Sequence, residues 1–206
     1  MKIFLIRHAE GENVETCWQS PETPLSDRGR RQAEAVARIN RFTNIDTVYS
    51  SPLKRTIETA KVITTKEFEI RDELSERIQS PIIYNLERNN SISIDYQLEL
   101  VKNTDNWNWQ WDKDEESKNH VLARAINFKN HVMSNCLGKN ILAVTHENFL
   151  RVFITQCIML EDSNDLGFRR LYKSIGISNT GISLLIYNED QKVWKIGYLN
   201  DFSHGI

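Results

Sequence analysis

Two apolar runs constrain this chain most: Ile3-Phe4-Leu5-Ile6 at its start and Ile141-Leu142-Ala143-Val144 far downstream. Each reads as a buried strand. Between them the pattern changes period. A helix is predicted from Ser26 or Asp27, with Ala33, Val36, Ala37 and Ile39 or Asn40 on roughly one face. Asp46–Ser50 reads as a second strand. Ser51-Pro52 reads as a helix start, serine as N-cap and proline at the first helical position, running on through Thr56, Ala60 and Ile63. Phe68–Ile70 suits a third strand. A helix over about Ser117 to Asn135 precedes the strand Asn140–Thr145, and another begins near His146. Gly181–Tyr187 and Lys192–Tyr198 form two last strands around a polar turn at 188–191. Strands alternating with helices predict an α/β fold: a mostly parallel central sheet with helices on both faces, in three layers.

A length of 206 residues fits a single domain over 1–206, large enough for a sizeable core. From about 80 to 118 the periodicity degrades. Asn and Ser cluster there, and Trp107, Trp109 and Trp111 alternate along the chain, so this stretch is expected to be a lid or insertion. The formal net charge of −2 argues against a general nucleic-acid binder. Cys17, Cys136 and Cys157 have neither zinc nor redox spacing, which predicts a reduced, cytoplasmic chain. The first apolar run is too short for a signal peptide and ends in Arg7. The apolar stretch Asn148–Leu160 is interrupted by Arg151 and Gln156, so no membrane span is expected. The oligomeric state is left open.

Three predicted strands end in residues suited to an anion. Arg7 and His8 follow the first, Ser51 to Arg55 the second, and His146 the strong later one. In a parallel sheet these ends share one edge, where open α/β folds bind ligands. Arginine's planar fork matches phosphate oxygens, and helix N-termini near Ser51 and His146 would add backbone donors. Any one of these residues has an ordinary explanation. A lone histidine is usually structural, and Arg55 could simply pair with Glu58 on a helix surface. Their joint placement after three strands is what points to a phosphate site.

The segment Leu5-Ile6-Arg7-His8-Ala9-Glu10 resembles the signature of the histidine phosphatase superfamily, the phosphoglycerate-mutase-like proteins. Pro24 to Ala33, Ser50 to Ala60 and Val144-Thr145-His146 resemble three further family segments in the expected order. The resemblance implies that His8 is transiently phosphorylated, with Arg7, Arg55 and His146 binding the phosphoryl group. It also implies a carboxylic acid in a Leu-x-Glu segment, here Leu74-Ser75-Glu76. Asp72 and Glu73 are rivals of the same type. Because side chains supply the charge, no metal and no cofactor are expected. A general acid working near neutral pH needs a raised pKa, which predicts activity highest on the acidic side of neutrality.

The chain departs from that pattern at three places. Ala9 stands for the usual glycine. Val14 stands where many relatives carry a phosphate-binding asparagine, leaving Asn13, one residue earlier, as the candidate. Glu147-Asn148 replace a frequent glycine pair, putting a carboxylate beside the expected phosphate pocket. The favoured function is a phosphomonoesterase acting on a small phosphorylated metabolite or a phosphoprotein. The alternatives are a phosphoglycerate mutase, although its Tyr-Trp segment is not found, and a regulatory module that binds phosphate ligands without turnover.

Overall fold

The computed structural model describes residues 1–39, 41–42, 44–159 and 166–205. Asn40 and Leu160, named above, lie outside them. Among the described residues, six strands form one sheet in the order β3-β2-β4-β1-β5-β6. The strands are β1 (Lys2–Arg7), β2 (Thr47–Ser50), β3 (Glu69–Ile70), β4 (Asn140–Thr145), β5 (Ile182–Asn188) and β6 (Val193–Asp201). The first four run parallel, while β5 and β6 pair antiparallel. The helices are α1 (Asp27–Arg38), α2 (Lys54–Ile63), α3 (Ser91–Lys102), α4 (Lys118–Asn135), α5 (Glu147–Met159) and α6 (Leu166–Ser174).

Strand alternation explains the two apolar runs. Ile3, Leu5, Ile141 and Ala143 face one side of the sheet, where they pack with Phe128 of α4, Phe149 and Phe153 of α5 and Phe168 of α6. Ile6, Leu142 and Val144 face the other side, against Ala33 and Val36 of α1 and Ala60 of α2. Both faces are covered, so the central strands are apolar throughout.

Two local expectations are corrected. Ala37 is exposed; the buried stripe of α1 is Gly29, Gln32, Ala33 and Val36, a spacing that tracks one helix face. Gly29 lies where the helix crosses the loop after β1. A Cβ there would come within 2.0 Å of the Glu10 carbonyl oxygen. Ser51 is not the N-cap of α2. That helix starts at Lys54, and its N-cap, Leu53, makes no side-chain cap bond. The hydroxyl of Ser51 accepts from the Leu53 N–H (3.3 Å), before the helix begins, and from His146.

The stretch 80–118 contains α3, preceded by a short 3₁₀ turn at Pro81–Ile83. Tyr96 of α3 stacks on Trp111 and meets Trp18 edge-on. The three tryptophans divide. Trp107 joins the main core against Phe168 and Tyr172, while Trp109 and Trp111 pack on the small cluster of Trp18, Ile83 and Tyr96. No helix among the described residues is long and apolar enough to cross a membrane.

Candidate active site

Register puts three strand ends in line. Arg7 pairs with Thr145 across β1 and β4, and Ser50 pairs with Val144 across β2 and β4. His8, Ser51 and His146 therefore leave the sheet together. The ladder continues one step beyond, His8 N–H donating to the Thr145 carbonyl (2.9 Å) and Ser51 N–H to that of Val144 (3.1 Å). All three side chains are buried.

The hydrogen bonds define both imidazoles. His8 Nδ1 lies 2.7 Å from the Ala9 carbonyl oxygen, which can only accept, so Nδ1 carries the proton. Its Nε2 is then a lone pair, and Arg55 Nε donates to it at 3.2 Å. Another nitrogen of the same guanidinium approaches His146 Nδ1 at 3.3 Å. Arginine has no acceptor, so His146 Nδ1 is also a lone pair, and its Nε2–H donates to Ser51 Oγ at 2.8 Å. The two rings sit 4.9 Å apart as opposite tautomers around one cation. Burial, reinforced by Arg55 and Arg7, holds the His8 pKa well below its ordinary value. Burial and Arg55 do the same for His146. Both are neutral at pH 7, so the cations depressing the His8 pKa are the arginines. Arg55 itself is drawn down to about 10 by burial and remains charged.

Arg7 donates to the Ile177 carbonyl (2.7 Å) and pairs with Glu147 (3.0 Å). The other Glu147 oxygen reaches Arg151 at 3.8 Å. The unexpected carboxylate thus turns toward arginines. Ala9 is fully buried, and its N–H donates to Thr59 Oγ1 at 3.0 Å.

Glu76 lines the same cavity as Arg7, His8 and Arg55, a space of about 450 Å³. One of its oxygens accepts from the Arg77 N–H (2.9 Å), the other from the Asn148 N–H at the start of α5 (3.4 Å). Of its rivals, Glu73 is held by Arg71 at 2.7 Å, while exposed Asp72 lines an adjoining cavity that Arg55 and Glu76 also line. Asn13 is not brought to the pocket. It is exposed on a turn with φ 54° and lines a separate depression with Glu10 and Arg28, whereas Val14 faces the His8 cavity.

Several supporting residues escaped the sequence reading. Gln32 accepts from the Glu10 N–H (3.0 Å), and Glu58 from the Leu25 N–H (2.8 Å), bracing the loop after His8; Glu58 thus does not pair with Arg55. Asn179 donates to the His8 carbonyl (2.9 Å). Arg124 of α4 binds the Glu73, Ser75 and Glu76 carbonyls and the Glu116 carboxylate, clamping the acidic loop. Gln32 and Glu58 fall within the motif segments and could have been found there. Asn179 and Arg124 carry no local signal.

Two imidazoles and two guanidiniums thus converge where β1, β2 and β4 end, in a three-layer α/β protein. The profile of the histidine phosphatase superfamily (branch 1) matches residues 3–201, and the chain belongs to that family. Phosphoserine phosphatase 1 of Hydrogenobacter thermophilus is 41% identical over 73 residues, which cover 34% of this chain and 35% of that protein. The match thus spans about a third of that relative's length. Among solved structures, the phosphoserine phosphatase of Entamoeba histolytica in complex with 3-phosphoglyceric acid superposes with a TM-score of 0.79. It is 22% identical and covers 100% of this chain and 99% of its own. The alpha-ribazole phosphatase of Shigella flexneri gives a TM-score of 0.76 at 22% identity, covering 98% and 96%. At such identities the structural likeness establishes the fold.

Proposed function

We propose that the protein is a phosphomonoesterase that hydrolyses a small phosphate ester through a phosphohistidine on His8. The observation that carries this reading is the lone pair of His8 Nε2, held among Arg55, Arg7 and His146 on the floor of a cavity edged by Glu76. A phosphoryl group entering the site competes for the Arg55 guanidinium and releases Nε2. Nε2 then attacks phosphorus, the ester P–O bond breaks, and Glu76 protonates the leaving alcohol. In the second step water attacks phosphohistidine, Glu76 takes back a proton, and inorganic phosphate leaves. Arg7 and Arg55 bind the transferring oxygens and stabilise their charge, and the arriving anion favours protonation of His146 at Nδ1, which then donates to them as well.

In this reading side chains supply all the positive charge, so turnover is independent of added metal. The protein works as one domain, with 80–118 closing over the cavity. Asn13 contributes nothing to phosphate binding. The three free cysteines accord with a cytoplasmic setting.

The test is hydrolysis of p-nitrophenyl phosphate in EDTA, with acid-quench detection of phosphohistidine. Wild type should turn over and label. His8→Ala should lose at least a thousandfold in kcat/KM and all of the label. Hydrolysis persisting in His8→Ala rejects the mechanism. Phosphoglycerate interconversion faster than phosphate release would replace hydrolysis by transfer.

A further inference from the structure

The cavity holds more positive charge than one phosphoryl group requires. Beyond Arg7 and Arg55 its walls carry Arg77, Arg88, Lys118 and Arg151, and among the described residues that line it Glu76 is the one carboxylate. This excess occurs in a chain of net charge −2, so it is local.

All four wall cations have protein partners. Arg77 makes a buried ion pair with Glu115 (3.1 Å), and that carboxylate also takes the Tyr96 hydroxyl and the Trp111 N–H. Arg88 lies 4.4 Å over the Trp18 ring and donates to the Val14 carbonyl.

Lys118 and Arg151 are set apart by a ring they share. Both lie over the same Tyr172 ring, with the Arg151 guanidinium 4.3 Å and the Lys118 ammonium 5.6 Å from its centre. Among the described residues, no carboxylate is within ion-pair distance of Lys118, which donates to the Thr104 carbonyl. Arg151 donates to the Tyr172 carbonyl (3.0 Å), and among the described residues it reaches a carboxylate at 3.8 Å, on the Glu147 that serves Arg7 more closely. Two like charges share one aromatic ring at the wall of the cavity. Burial and the nearby Arg77 charge press the Lys118 ammonium down to about 8. An anion between Lys118 and Arg151 relieves that repulsion.

We propose that Lys118 and Arg151 form a second anion subsite, and that the substrate is a small phosphomonoester bearing a further anionic group. This rests on the phosphatase reading of the same cavity and adds the substrate class to it. Glu147 supplies the scale. A single carboxylate bridges Arg7 and Arg151, so a phosphate beside Arg7 and an anion beside Arg151 fit on a short carbon skeleton. Either a carboxylate or a second phosphate satisfies this chemistry.

Matched pairs of esters test it. O-phosphoserine against O-phosphoethanolamine, and 3-phosphoglycerate against glycerol 3-phosphate, differ by a carboxylate. Propane-1,3-diol bisphosphate against its monophosphate differs by a phosphate. Wild type should favour the more anionic member of at least one pair by tenfold or more in kcat/KM. Lys118→Gln and Arg151→Gln should each cut that preference at least fivefold, mainly through KM, and Lys118→Arg should restore part of it. The pair that discriminates identifies the anion. Equal rates within all pairs, alongside brisk p-nitrophenyl phosphate turnover, overturn the subsite and leave the phosphatase reading standing. A preference unchanged in both Gln variants overturns the assignment to these residues. Inertness toward every ester overturns the phosphatase reading and this inference with it. The wild-type comparison needs no substitution, so a poorly folding variant does not shield the proposal.

Discussion

At the scale of single residues, Glu147 shows how one departure from a motif can be absorbed. A carboxylate beside a phosphate pocket is unfavourable if it faces the anion. Here it faces Arg7 and Arg151 instead, and occupies the Arg7 guanidinium that a phosphoryl group would use. Glu147→Gln should therefore strengthen competitive inhibition by inorganic phosphate, by about tenfold if roughly 1.4 kcal/mol of competition is removed. An inhibition constant that stays put or rises would show that the pair organises Arg7 rather than competing for it. Glu76 is tested through the leaving group. Glu76→Gln should lower kcat about a hundredfold or more on alkyl phosphates, and far less on p-nitrophenyl phosphate, whose leaving group needs no proton. Equal losses on both would return the proton donor's role to Asp72. The nucleophile was legible because histidine directly follows arginine at a strand end. Its tautomer was not, since that depends on the Ala9 carbonyl and on Arg55, which is 47 residues away.

At the scale of elements, α1 is positioned by what it lacks. Gly29 lets the helix rest against the Glu10 backbone, and Gln32, one turn on, ties the same residue. Gly29→Ala forces a Cβ into a carbonyl oxygen and should lower stability by about 1–3 kcal/mol, read as a reduced urea midpoint. Unchanged stability would mean that loop and helix can separate cheaply. Strands β1 and β4 were readable because both their faces are covered, which writes a continuous apolar run into the sequence. Helix α3 was not. Ser93, Tyr96 and partly Leu100 face inward, but Ile92, Ile94, Leu98 and Val101 are exposed, so apolar residues fall all around the helix and the period vanishes. The start of α2 was misplaced for a related reason. Ser-Pro is a sound cap signal, but here the serine hydroxyl accepts from the Leu53 N–H ahead of the helix and from His146, a partner distant in sequence, and the helix begins at Lys54.

At the scale of the whole molecule, the buried histidines link stability to pH. Both folded pKa values lie below the unfolded value of about 6.5. The unfolded chain therefore takes up protons that the folded chain refuses. Their contribution is complete above that pH and is lost as pH falls toward the folded values, at up to about 1.4 kcal/mol per pH unit for each histidine. Urea midpoints at pH 7.5 and 5.5 should differ accordingly, and His146→Gln should shrink the difference. A flat dependence would contradict neutral burial. The strand order has one more consequence. His8 follows β1, which lies between β4 and β5 in the interior of the sheet, and its amide is bonded to β4. Hydrogen exchange at that amide should proceed only when the entire sheet comes apart. Loss of activity on heating would then keep time with the collapse of the fold, making turnover a clock for the lifetime of the native state.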